Sequence, residues 1–122
     1  MHSAEMRVKR VYDAPSSEDG KRVLVDRLWP RGLSKDRAAV DIWLKDIAPT
    51  DGLRRWFSHD GEKWVEFRRR YRAELEANGE AVNTLLDLAK AGPLTLLYSA
   101  SSADISNAAV LLEYIKELMR KS

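Results

Sequence analysis

Apolar positions along this 122-residue chain change their spacing from segment to segment, and each change marks an element. Met6 to Tyr12 alternates: Val8 and Val11 are separated by Lys9 and Arg10, which predicts a short strand with basic residues nearby. Asp13 to Gly20 is a turn-rich loop. Arg22 to Leu28 is denser in apolar side chains and reads as a second strand, covered on both faces. Ser34 to Val40 has room for one helical turn. Ile42 to Ile47 fits strand or helix; its length, its β-branched residues and the Ala48-Pro49 that follows favour strand.

The spacing then turns helical. Thr50 is placed to cap a short helix carrying Leu53, Trp56 and Phe57. Asp60 is placed to cap a longer one, whose stripe of Trp64, Phe67, Tyr71 and Leu75 lies on one face and which stops at Asn78-Gly79. Glu80 to Ala91 forms the next helix and Gly92-Pro93 ends it. Leu94 to Tyr98 is the clearest strand. A small-residue turn from Ser99 to Asp104 leads to a last helix with Ile105, Ala108, Leu112, Ile115 and Met119 on one face. Two early strands and a helical crossover to a third buried one predict an α/β domain: a small, mainly parallel sheet flanked by helices. Residues 6–122 are expected to form that single domain, with residues 1–5 as a disordered tail.

Composition narrows the chemistry. The absence of Cys removes disulfides, thiolate chemistry and Cys-based zinc sites. His2 and His59 are the only histidines, so a His-rich metal site is excluded, although one His with carboxylates is not, and the sequence names no cofactor. There is no signal pattern and no apolar run long enough to span a bilayer, so the expectation is a cytoplasmic protein without a membrane partner. The net charge of +2 is a small imbalance between 21 basic and 19 acidic residues. It neither demands a nucleic-acid partner nor excludes one.

The strongest chemical signal is Val23-Leu24-Val25-Asp26-Arg27-Leu28-Trp29-Pro30-Arg31-Gly32, an apolar run that delivers an acid, two arginines and a tryptophan to one rim of a sheet. In open α/β sheets that rim is where ligands bind. Arg27 and Arg31 are suited to grip a phosphate or carboxylate through paired N–H donors, Trp29 to wall a pocket, Asp26 to transfer a proton, and Gly32 to let the chain turn close to a ligand. The alternative is structural: an Asp26–arginine ion pair, a packed Trp29 and a plain turn.

Ser99, Ser101 and Ser102 could meet an anion on the same rim if the two strands are parallel neighbours. Equally, Ser101-Ser102-Ala103-Asp104 fits a helix-capping pattern. His59 beside Asp60 could shuttle a proton or be a surface or capping residue. Arg68, Arg69, Arg70 and Arg72, with Arg54 and Arg55, form the basic cluster. Spacings of four to Glu66, Glu74 and Glu76 favour a solvated, internally paired helix face over a nucleic-acid surface.

Val25-Asp26-Arg27-Leu28-Trp29-Pro30-Arg31-Gly32-Leu33 resembles the signature of the bacterial YeaO-like proteins, within the domain of unknown function 488. Trp43 to Pro49, Trp56-Phe57 with His59-Asp60, then Phe67, Arg70, Tyr71, Glu74 and Leu75 are similar to its next blocks, and Leu96 to Ala100 with Asn107 to Leu111 to its last. The resemblance covers residues 6 to 118 and implies a small cytoplasmic α/β domain, with no reaction attached. It also implies a histidine just before the Asn of the last block, where this chain has Asp104-Ile105-Ser106-Asn107. Any chemistry that depends on that histidine is lost here or falls to His59. The favoured expectation is binding of an anionic small molecule, a nucleotide or phosphorylated metabolite, at the sheet rim. Enzymatic activity is left open. The rivals are a nucleic-acid-binding module on the arginine-rich helix and an interaction protein whose tryptophans form a homodimer face.

Overall fold

Every residue of Leu94–Tyr98 is buried, and the sheet is built around that run. The computed structural model describes residues 5–58, 60–101 and 105–121. Among them are four strands, β1 (Met6–Arg10), β2 (Lys21–Leu24), β3 (Ile42–Trp43) and β4 (Leu94–Tyr98). They form one sheet in the order β1-β4-β2-β3, and every pairing is parallel. Helices α1 (Lys35–Ala38), α2 (Asp51–Phe57), α3 (Trp64–Glu76), α4 (Gly79–Ala91) and α5 (Asn107–Lys121) complete the chain. The fold is the α/β class that the alternation of apolar spacings predicts.

Strand periodicity sorts the side chains onto two unequal faces. Met6, Val23, Val25, Leu94, Leu96 and Tyr98 join the main core, where Phe57, Phe67, Tyr71, Leu75, Leu85, Leu111 and Ile115 bring in α2 to α5. On the other face Val11, Leu24 and Leu97 meet only Ala38 and the flanking Trp29, Leu33, Val40 and Trp43. A buried polar group fills the rest of that face. Arg22 pairs with Asp19 and donates to the carbonyls of Ala38 and Ala39 at 2.8 Å each, so it caps the orphan end of α1. Lys9 reaches the same Asp19 at 3.1 Å.

Several boundaries differ from the sequence expectation. The β2 ladder stops at Leu24 rather than running to Leu28: the Val25 N–H still donates to Leu97 O at 3.1 Å, and Asp26 then turns its side chain to Ser99. Ile42 to Ile47 divides into the two-residue β3 and a 3-10 turn at Lys45–Ile47. Thr50 caps α2 by accepting from the Leu53 N–H, whereas Asp60 caps a 3-10 turn at Gly61–Lys63 that runs into α3. Gly79 opens α4 instead of only closing α3. Helix α5 starts at Asn107, and the Ala109 N–H donates to Ser106 Oγ at 3.2 Å. Residues 102–104, which carry the rest of the expected capping pattern, lie outside the described residues, as do residues 1–4. Glu5, expected to belong to the tail, accepts from the Leu94 N–H at 2.9 Å and so extends the sheet edge.

Candidate functional site

Because β2 and β4 are parallel neighbours, the residues that follow them emerge side by side. A pocket of about 640 Å³ opens at that carboxyl-terminal rim, and its wall includes Asp26, Arg27, Trp29, Arg31 and Ser99. The helix after β3 adds Arg54, Arg55 and Phe57, and the start of α5 adds Asn107. The rim thus brings together two segments that are about seventy residues apart in sequence, as expected where strand ends meet in a parallel sheet.

Asp26 organises the floor. Its Oδ2 accepts from the backbone N–H and the hydroxyl of Ser99, each at 2.8 Å, which locks the two strand ends together. The Trp43 indole N–H donates to its carbonyl at 2.8 Å. Arg10 holds the other side of the Ser99 turn by donating from Nε to Ala100 O at 2.9 Å. Asn107 donates to Val25 O at 2.9 Å and hydrogen-bonds the Tyr71 side chain beneath the floor. Tyr71 is fully buried and donates to Ile47 O at 2.7 Å. Burial, then the charges of Asp26 and Glu74, push its hydroxyl far above the ordinary tyrosine range against the opposing Asn107 and Arg27, so it stays a neutral donor.

The arginines divide by what they already hold. Arg27 donates to Pro49 O at 3.2 Å and Ala48 O at 3.3 Å, and Asp51 stands 3.9 Å away. It is half-buried and staples the β3–α2 connection to the rim. Arg54 pairs with Asp51 at 3.2 Å. The guanidiniums of Arg31 and Arg55 are exposed and line the pocket without a partner among the described residues. Of the two arginines that the sequence puts forward as an anion grip, Arg31 is exposed and Arg27 has Nε and Nη2 engaged. The other exposed guanidinium on the pocket is Arg55, placed there by helix α2, which no local pattern ties to the strand end.

The other expected site residues are placed as follows. Trp29 lines the pocket but is chiefly packed: its ring meets Trp43 edge-on at 5.4 Å and its N–H donates to Leu33 O at 2.7 Å. Gly32 is not among the lining residues; it has φ 75 and serves the turn. Ser101 is exposed and also outside the lining. Ser102 and His59 lie outside the described residues. No group of His, Asp and Glu that could hold a metal is found among the described residues.

On α3 every arginine of the basic cluster has a carboxylate. Arg69 and Arg70 share Glu66, while Arg68 and Arg72 reach Glu113 on α5, and Arg72 also reaches Glu117. The two arginines on Glu66 hold its carboxyl down to about 2. The expected Glu66–Arg70 pair forms; Glu74 instead accepts from Thr50, and Arg72 is taken by α5. No described helix is long and apolar enough to cross a membrane.

Comparison with known proteins agrees over nearly the whole chain. A family described as the inactive DUF488-N3 subclade matches residues 5–122. The uncharacterized protein YeaO of Escherichia coli (strain K12) is 44% identical over 110 residues, covering 90% of this chain and 96% of that protein. The uncharacterized protein Rv3073c of Mycobacterium tuberculosis (strain ATCC 25618 / H37Rv) is 39% identical over 115 residues, covering 94% and 97%. No solved structure matches the chain.

Proposed function

The chain belongs to the inactive DUF488-N3 subclade, and from that premise we propose that it is a receptor domain that binds an anionic small molecule at the sheet rim without turning it over. The observation that carries this reading is the pair of exposed guanidiniums, Arg31 and Arg55, on a pocket that also contains the ends of β2 and β4. Two arginines left without carboxylates raise the local positive potential, and their planar donor forks suit phosphate or carboxylate oxygens.

Binding without catalysis is supported by how the floor is used. Asp26, the carboxylate best placed for proton transfer, is engaged by both donors of Ser99. Ile105 and Ser106 stand where the family resemblance implies a histidine. The family description points the same way. A nucleic-acid role for α3 draws less support, because its arginines are already committed to Glu66, Glu113 and Glu117.

Thermal unfolding in the presence of phosphate, sulfate, nucleotides and small carboxylates tests this reading. A bound anion at a hundred times its Kd adds about 2.7 kcal/mol of stability, a clear rise in Tm for a domain of this size. The rise is expected in the wild type and lost in Arg31→Ala and Arg55→Ala, whose own melting without ligand stays close to wild type. No rise with any of these anions sinks the proposal.

A further inference from the structure

We infer that the ligand of the rim pocket is a phosphomonoester, gripped at the mouth by Arg31 and Arg55 with its ester body directed inward to Asp26; this rests on the anion-binding reading above. Charge selects among the anions. Arg54 is balanced by Asp51 at 3.2 Å; Arg27 has its donors on the carbonyls of Pro49 and Ala48, and its charge is offset by the Asp26 carboxylate on the same wall. Two exposed positive charges remain at the pocket without a carboxylate among the described residues. A phosphomonoester at neutral pH carries about two negative charges, its second pKa being about 6. A monocarboxylate or a phosphodiester carries one and leaves a guanidinium unmatched. A triphosphate carries more than the pair can balance.

Asp26 sets the direction. Its carboxylate sits half-buried at the end of β2, deeper than the two exposed arginines. A phosphate placed beside it would meet like charge, whereas an uncharged ester body would not. The phosphate therefore faces outward and the uncharged body inward. A pocket of about 640 Å³ admits a body the size of a sugar or nucleoside.

Isothermal titration calorimetry decides it. The probes are ribose phosphate and adenosine monophosphate as monoesters, cyclic adenosine monophosphate as the diester, uncharged adenosine, and succinate as a dicarboxylate of the same charge. They are titrated into wild type, Arg31→Ala and Arg55→Ala near pH 7.5, and into wild type near pH 5.5, on either side of the phosphate's second pKa of about 6. Monoesters are expected to bind about tenfold or more tighter than the diester at the higher pH, with the preference shrinking at the lower pH as the phosphate takes up its proton. Each arginine variant should lose about tenfold in monoester affinity. Equal affinity for monoester and diester, or a preference indifferent to pH, overturns the phosphomonoester assignment while arginine-dependent anion binding stands. If succinate alone binds through the arginines, the assignment also fails. If no probe binds in an arginine-dependent way, the anion-binding reading fails with it.

Discussion

Glycines 20 and 32 both hold a positive φ, 63 and 75, yet they answer to different neighbours. A Cβ on Gly20 would lie 2.3 Å from the carbonyl oxygen of Pro93, a backbone atom that cannot step aside without moving the start of β4. A Cβ on Gly32 would meet nothing within 4 Å. Gly20→Ala should therefore cost several kcal/mol, about 3 or more, from backbone strain and overpacking together. Gly32→Ala should cost only about 1–2 kcal/mol, from the left-handed conformation alone. Urea unfolding of the two variants checks the ranking; similar losses would show that the Pro93 contact is not limiting. From the sequence, Gly32 is the glycine that draws the eye, because it ends the Asp26–Arg31 run, while Gly20 looks like one more loop residue. A local string shows a turn, but not what packs behind it. The same limit hides Arg55 on the pocket wall, and it hides what Arg27 already holds: the carbonyls of Ala48 and Pro49 lie more than twenty residues away from it.

At the scale of elements, what could be read was whatever each segment decides for itself. The stripe through Phe67, Tyr71 and Leu75 buries as its spacing requires, and Leu94 to Tyr98 is the central strand that its density suggests. Pairings between elements were not legible. Counting by four along α3 finds Glu66 with Arg70, but it assigns Glu74 and Arg72 to their own helix. Glu74 instead accepts from the Thr50 N–H at 3.0 Å and from the Thr50 hydroxyl at 2.6 Å. That contact holds the N-terminus of α2, the helix that presents Arg54 and Arg55 to the pocket, against α3. Removing it should loosen α2 more than the domain. Glu74→Ala is expected to cost about 1 kcal/mol of global stability, in line with exposed hydrogen bonds. Amide exchange should quicken along Asp51 to Phe57, and anion affinity should fall although no pocket side chain is altered. Unchanged exchange in α2 would mean that Leu53 and Phe57 in the core suffice to place it.

For the whole molecule, the unequal sheet faces decide how it responds to acid. The helical face is apolar and has little to titrate, whereas the thin face is closed by Asp19 with Lys9 and Arg22. Burial opposes ionisation of Asp19. The Ser16 N–H and the Lys9 and Arg22 cations outweigh it, so the carboxyl titrates below its ordinary value. A carboxyl lowered on folding contributes stability that is fully present above the unfolded-state value, about 3.9, and lost as pH falls through the folded value. The carboxyls of Glu66 and Glu117 are lowered too, the first by the exposed Arg69 and Arg70 and the second by the half-buried Arg72. Their contribution is screened by salt, while that of the enclosed Asp19 is screened far less. Acid unfolding of the wild type at high salt should thus retain a steep loss of stability below about pH 4 that traces to Asp19. Asp19→Asn should flatten that limb. At neutral pH it should cost about 3 kcal/mol or more, because Arg22 is left buried without its counter-charge while it holds the end of α1. If the variant kept the wild-type acid limb at high salt, the steepness would have to come from the surface carboxylates, and the second face would be held by its apolar contacts alone. The same network bears on the pocket: the end of α1, which leads into β3, rests on Arg22, and Trp43 of β3 carries the hydrogen bond to the Asp26 carbonyl. Acid that releases Asp19 should for that reason weaken the rim before the main core on the helical face gives way. Near-ultraviolet signals from Trp29 and Trp43, lost ahead of the helical far-ultraviolet signal as pH is lowered, would show that order.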